Sequence, residues 1–133
     1  SESCLPLPDE GIIGITSEDS GIIIHSLNCG ELNKDYKKEE WIAATWKDVN
    51  QNQFFSSRIK VSVKNEPGAL GKLATVVGSN KGNITNLNIS EKGDDFFDMI
   101  FVIDVNSLLH LESIIDALKR VENVSAVSRL FIN

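Results

Sequence analysis

The stretch Arg58-Ile-Lys-Val-Ser-Val-Lys64 alternates polar and apolar residues without a break, which sets Ile59, Val61 and Val63 on one face of a half-buried strand. Everything after it repeats that regularity. Leu70, Leu73, Ala74 and Val77 recur at three- and four-residue spacing, the stripe of an amphipathic helix, with Pro67 at its start and Gly82 past its end. Asn83 to Ser90 alternates again with one imperfection of phase, and places Ile84, Leu87 and Ile89 toward a core. The turn from Glu91 to Asp95 follows, where Gly93 is free to take positive φ. Phe96 to Val105 is apolar enough for the sheet centre. Asn106 or Ser107 caps a second helix with Leu108, Leu111, Ile114, Ile115 and Leu118 on one stripe, and Val124 to Ile132 reads as a closing strand. The order βαββαβ in about 80 residues predicts a ferredoxin-like unit, an antiparallel four-stranded sheet with both helices on one face. A sheet face and edges left open in so small a unit predict pairing with another copy or another domain.

Residues 1–53 carry a different pattern. Gly11 to Thr16 and Gly21 to His25 are short β-branched runs separated by the polar turn Ser17 to Ser20, which fits a hairpin. Asn28 to Glu40 has room for a helical turn, and Trp41 to Trp46 suits an edge strand whose two tryptophans bring most of the buried area of this part. Asp48 to Gln53 is polar and aperiodic, the natural linker, so the domains are expected at 1–53 and 54–133. The class is therefore α+β, a small β-rich module followed by the βαββαβ unit.

Charge and cysteine content narrow the chemistry. With 13 Lys and Arg against 19 Asp and Glu, a net charge of -6 argues against a broad grip on nucleic acid. The lysines between Lys34 and Lys38 are interrupted by Asp35 and followed by Glu39 and Glu40, the pattern of a solvated loop or helix end; local contact with RNA through a partner stays open. The longest apolar run, Met99 to Ile103, is far short of the roughly 20 residues that span a bilayer. The first residue is Ser and no signal peptide follows, so the chain reads as a soluble, cytoplasmic piece of something longer. Cys4 and Cys29, its two cysteines, are read as thiols in such a reducing setting. His110 lies between Leu109 and Leu111 with no partner in the sequence, and is placed at the surface of its helix. Asp94, Asp95 and Asp98 flank a hairpin turn, where acidic groups keep an edge soluble. No acid/base or nucleophile constellation is visible, so catalysis is expected elsewhere.

The loop Glu66-Pro67-Gly68-Ala69-Leu70-Gly71 enters the first helix, where free N–H groups and the helix dipole suit a carboxylate. On local chemistry alone the ordinary Pro-Gly turn is the favoured reading. Pro67-Gly68-x-Leu70 followed by a helix and then Gly82-Asn83-Ile84 resembles the ACT domain, a family of amino-acid-sensing modules, over residues 57–133. That resemblance implies ligand contacts at Asn65, Gly68, Ala69, Leu70, Asn83 and Ile84, and a homodimer. Cys4-x-Pro6-x-Pro8, Ile12-x-Gly14 and Gly21-x-x-Ile24-His25-x-x-x-Cys29 resemble the zinc-finger-like module that precedes ACT in RelA/SpoT (p)ppGpp synthetase/hydrolases. The likeness implies a regulatory C-terminal region that senses amino-acid or ribosome status, contacts ribosome and tRNA, and controls catalytic domains elsewhere in the parent chain. The alternative is a module that binds protein or ribosome with no small ligand. Zinc is implied at Cys4, His25 and Cys29, but Ser3 stands where members carry a further Cys, and Asp9-Glu10 where Gly-Asp is usual. Serine is a poor zinc ligand, and structural sites are normally four-coordinate.

Overall fold

The structure is a computed structural model that describes residues 1–17, 21–33, 41–46 and 53–131. The lysine cluster at 34–38, the turn at 18–20, most of the expected linker and Ile132 lie outside the described residues. The chain forms strands β1 (Ile12–Ser17), β2 (Gly21–Ser26), β3 (Trp41–Ala43), β4 (Phe55–Lys64), β5 (Asn83–Lys92), β6 (Phe96–Val105) and β7 (Val124–Arg129). Helices α1 (Ala69–Ser79) and α2 (Leu108–Lys119) follow β4 and β6, and a short 3-10 turn covers Gly30–Asn33. Two antiparallel sheets result, a three-stranded one ordered β2-β1-β3 and a four-stranded one ordered β5-β6-β4-β7. The second is the expected ferredoxin-like order. Both helices lie over one face of it, because Ile59, Val61 and Val63 of β4 and Met99, Phe101, Ile103 and Val105 of β6 alternate inward to meet Leu73, Val77, Leu111, Ile114 and Leu118.

Several local expectations shift. The α1 stripe is Ala69, Leu73, Val76 and Val77, whereas Leu70 and Ala74 are exposed, because the core-facing row runs through Ala69, Leu73 and Val77 at four-residue spacing and leaves each of them one position off it. The phase defect in β5 is real: register irregularities fall between Ile84 and Asn86 and between Ile89 and Glu91. Ile84 and Leu87 pack against the core, but Ile89 stays about half exposed on this outermost strand. Gly93 does not use positive φ; its place is sterically fixed, since a Cβ there would sit 3.1 Å from the Phe96 carbonyl oxygen. Trp41 is exposed on edge strand β3, so the burial in the N-terminal part comes instead from Cys4, Leu7, Ile15, His25 and Cys29. β3 does pair with β1 as the expected edge strand.

Ser107 caps α2 by accepting from the His110 N–H. His110 is not a loose surface group. Its Nδ1 accepts from the Asn106 N–H at 3.0 Å, and its Nε2 lies 2.7 Å from the Asn80 carbonyl oxygen, so the neutral tautomer protonated on Nε2 ties the start of α2 to the end of α1. His110→Ala is expected to cost about 1–2 kcal/mol of stability, read as a lowered urea midpoint with the slope unchanged.

Candidate functional site

Three features could carry function: the loop before α1, the Cys/His cluster of the N-terminal module, and the contacts between the two modules. In the loop, Gly68 takes φ 80 as the N-cap residue, and a Cβ at that position would meet nothing within 4 Å. No side chain caps α1. The Asn65 N–H donates to the Asp95 carbonyl at 2.7 Å, which pins the loop to the β5–β6 turn. Glu66 is held by Asn123 Nδ2 at 2.8 Å and faces Lys72 Nζ at 3.6 Å. Ala69 is buried, while Leu70 projects outward with 42% exposure. Asn65, Gly68, Ala69 and Leu70 thus surround an open helix start.

Asn83 and Ile84 are not beside them. Lys64 pairs with Phe96 and Asn83 pairs with Asp104, so the two halves of the expected ligand site lie at opposite ends of β6. Eight residues of strand separate them, roughly 26 Å at strand rise. One copy of the chain cannot close a small-molecule site from both.

The metal candidates do come together. Cys4, His25 and Cys29 are all buried, with their ligand atoms within 4.8 Å of one another. The β1–β2 pairing carries His25 in, opposite Ile13, and Cys29 follows the strand end. The expectation of two thiols is corrected, since Cys4 and Cys29 are joined as a disulfide with a Cα–Cα distance of 5.5 Å. A reducing compartment acts on the surroundings of a thiol and does not set the distance between two of them. His25 Nδ1 lies 3.6 Å from Cys4 Sγ. As a zinc site the set does not fit: sulfurs bonded to each other have no thiolate to offer, and the three donors fall one short of a closed tetrahedral shell.

The contacts between modules are the feature that sequence reasoning missed. Leu7, fully buried, belongs to the core of the βαββαβ unit although it lies in the N-terminal segment. Arg129, at the end of β7, makes a two-pronged ion pair with Glu10: Nη1 donates to Oε2 and Nη2 to Oε1, each at 2.7 Å, with 4% of the Glu10 side chain exposed. Glu10 also accepts from Ser26 Oγ at 2.9 Å and from the Leu7 N–H. Arg129 Nη2 reaches the Leu5 carbonyl at 3.0 Å, and Arg58 Nη1 donates to the Ser3 carbonyl at 3.1 Å. The Leu108 N–H, which opens α2, donates to the Pro8 carbonyl at 2.9 Å. Trp46 donates to the Glu10 carbonyl at 3.1 Å and packs edge-on against Phe55 with ring centroids 5.7 Å apart. Glu10 and Arg129 are 119 positions apart, and no local pattern joins them.

The description "ACT domain" matches residues 51–129, and "RelA/SpoT RIS domain" matches residues 1–47. The GTP pyrophosphokinase rsh of Brucella suis is 36% identical over 126 residues, which cover 93% of this chain and 17% of that protein. The bifunctional (p)ppGpp synthase/hydrolase SpoT of Escherichia coli is 29% identical over 131 residues, covering 97% of this chain and 18% of that protein. The chain therefore spans about a sixth of the length of these relatives. Among solved structures, the ACT domain from GTP pyrophosphokinase of Chlorobium tepidum superimposes with a TM-score of 0.51 at 24% identity, over 59% of this chain and 100% of that one.

Proposed function

The chain belongs to the ACT domain family and to the regulatory region of RelA/SpoT proteins, not to their catalytic part, and on that premise we propose that it relays amino-acid or ribosome status to (p)ppGpp synthetase and hydrolase domains of a parent protein. The observation that carries this reading is the shared core: with Leu7 buried in the core of the ACT part and Glu10 clamped by Arg129, the RIS and ACT parts form one unit, and a ligand that biases one biases the other. The setting is the cytoplasm, in keeping with the guanine-nucleotide chemistry named for the relatives; among the described residues no helix is long and apolar enough to cross a membrane.

The ligand is an amino acid, with its carboxylate at the open start of α1 and Leu70 against its side chain. The site is completed by a homodimer. Strand β5 is an outermost strand with ten residues and an exposed Ile89, and a two-fold axis perpendicular to it pairs the two copies antiparallel. Asn83 and Ile84 of one copy then approach the Asn65–Leu70 loop of its partner, which accounts for their separation within one chain. A thermal-shift screen against amino acids tests this. A binder held at a hundred times its Kd is expected to add about 2.7 kcal/mol of stability. The shift is expected to vanish in Gly68→Val and in a variant that blocks β5 pairing, Asn86→Pro. No shift with any amino acid contradicts the sensing reading.

A second reading, an interaction module without a small ligand, has its own observation. Ile24 and Ile42 flank Gly14 on one face of the three-stranded sheet, with Ile22 beside Thr16 on that face, and Ile22 and Ile42 are exposed. That reading predicts ribosome or protein contacts weakened by Ile22→Lys and Ile42→Lys with no amino-acid shift at all.

A further inference from the structure

We propose that Cys4 and Cys29, with His25, form a reversible dithiol/disulfide pair that controls docking of the N-terminal segment on the ACT core, in place of a structural zinc site. The geometry stands by itself; only the cytoplasmic setting rests on the function proposed above. Three observations carry it. First, the Cα–Cα distance of 5.5 Å lies at the centre of the range a disulfide requires, so neither backbone has to move for the bond to form. Disulfides in a reducing compartment are characteristically redox-sensing or catalytic rather than permanent. Second, the His25 imidazole at 3.6 Å from Cys4 Sγ is placed to take the Cys4 proton and hold the thiolate, which is the reactive species in exchange.

Third, Cys4 belongs to the segment that joins the modules. Its carbonyl accepts from Arg129 Nη2 at 3.4 Å, Leu5 beside it takes φ 45, and three residues on, Leu7 enters the ACT core. Asp9 takes φ 77. A backbone held twice in the left-handed region by non-glycine residues persists only where its surroundings determine it. The disulfide is one such determinant, since it staples the segment to Cys29, three residues past the end of β2. With Cys4 1% and Cys29 3% exposed, a reagent reaches the sulfurs only when the segment lifts, so the same motion both exposes the pair and undoes the docking.

The oxidant is a low-molecular-weight disulfide of the glutathione class. The Cys4 thiolate attacks one of its sulfurs, forming a mixed disulfide and releasing one glutathione thiolate, which takes the proton from His25. Cys29 then gives up its proton as its sulfur attacks Cys4 Sγ, forming the protein disulfide, and the second glutathione leaves as a thiolate that takes up that proton. Two protein thiols are oxidised and one glutathione disulfide is reduced to two thiols.

The test uses the full chain with Trp41→Phe, which leaves Trp46 as the reporter at the junction. Protein is equilibrated in graded mixtures of reduced and oxidised glutathione, and thiols are then alkylated, counted by mass spectrometry and compared with zinc content and Trp46 emission. The expected result is a single transition from two alkylated thiols to none, with Trp46 emission changing at the same midpoint and thermal stability lower on the reduced side. Cys29→Ser is expected to abolish the emission response, and His25→Asn to slow the approach to equilibrium while leaving the end point in place. Thiols that stay alkylatable throughout, or stoichiometric zinc that protects them, overturns the proposal; so does a redox transition that leaves Trp46 unchanged. An unaltered rate in His25→Asn removes His25 from the step. None of these results depends on the amino-acid screen, so the redox and sensing readings fail separately.

Discussion

Arg129→Met is expected to lower the unfolding free energy by about 3–5 kcal/mol, because it leaves the Glu10 carboxylate buried without its cation. Ser26 and the Leu7 N–H remain as donors to Glu10, but neither carries a charge. The double variant Glu10→Met with Arg129→Met is expected to recover much of that loss, since the uncompensated charge goes with its partner. Full recovery is not expected, as the Cys4 and Leu5 carbonyls also lose their donor. Urea unfolding of the two single variants and the double variant checks this. Equal losses in the double and in Arg129→Met alone would mean that the carboxylate contributes nothing to the penalty.

Leu7→Ala is expected to cost about 3 kcal/mol, in the usual range for a fully buried leucine. Leu7 has a second role beyond filling space, since it is the N-terminal module's contribution to the ACT core. Its removal is therefore expected to loosen the segment that holds Glu10, so Leu7→Ala and Arg129→Met together should cost less than the sum of the two. Leu109→Ala is the control: Leu109 lies on α2 with 66% exposure, and its loss is expected to fall within about half a kcal/mol of zero. A cost for Leu7→Ala as small as that of Leu109 would contradict the docked segment.

The periodicity of residues 55–129 was enough to give the ferredoxin-like order, because each strand alternates and each helix carries a stripe wide enough to bury. It erred where neighbours decide the outcome. Leu70 and Leu73 look alike in the pattern, yet only Leu73 is buried, because the row facing the core runs through Ala69, Leu73 and Val77. His110 had no visible partner because its partners are backbone atoms, which no side-chain pattern reveals. Cys4, His25 and Cys29 lie together in the structure, but their bonding state depends on a separation that spacing does not encode. Glu10 stood out only as a departure from a family pattern, and Arg129 not at all. An ion pair across 119 positions is a product of docking two modules, and sequence periodicity reports each module alone.

Within the described residues, both tryptophans lie in the RIS part and both α-helices in the ACT part, so two optical probes report on the two modules separately. Urea unfolding of the full chain, followed at once by tryptophan emission and by the far-ultraviolet helix signal, measures directly whether the modules behave as one unit. Coincident transitions with a common slope are the expected result, as one shared core requires. Two separated transitions, with the tryptophans released while the helices stay intact, would contradict the relay, because modules that unfold independently have no common equilibrium for a ligand to shift.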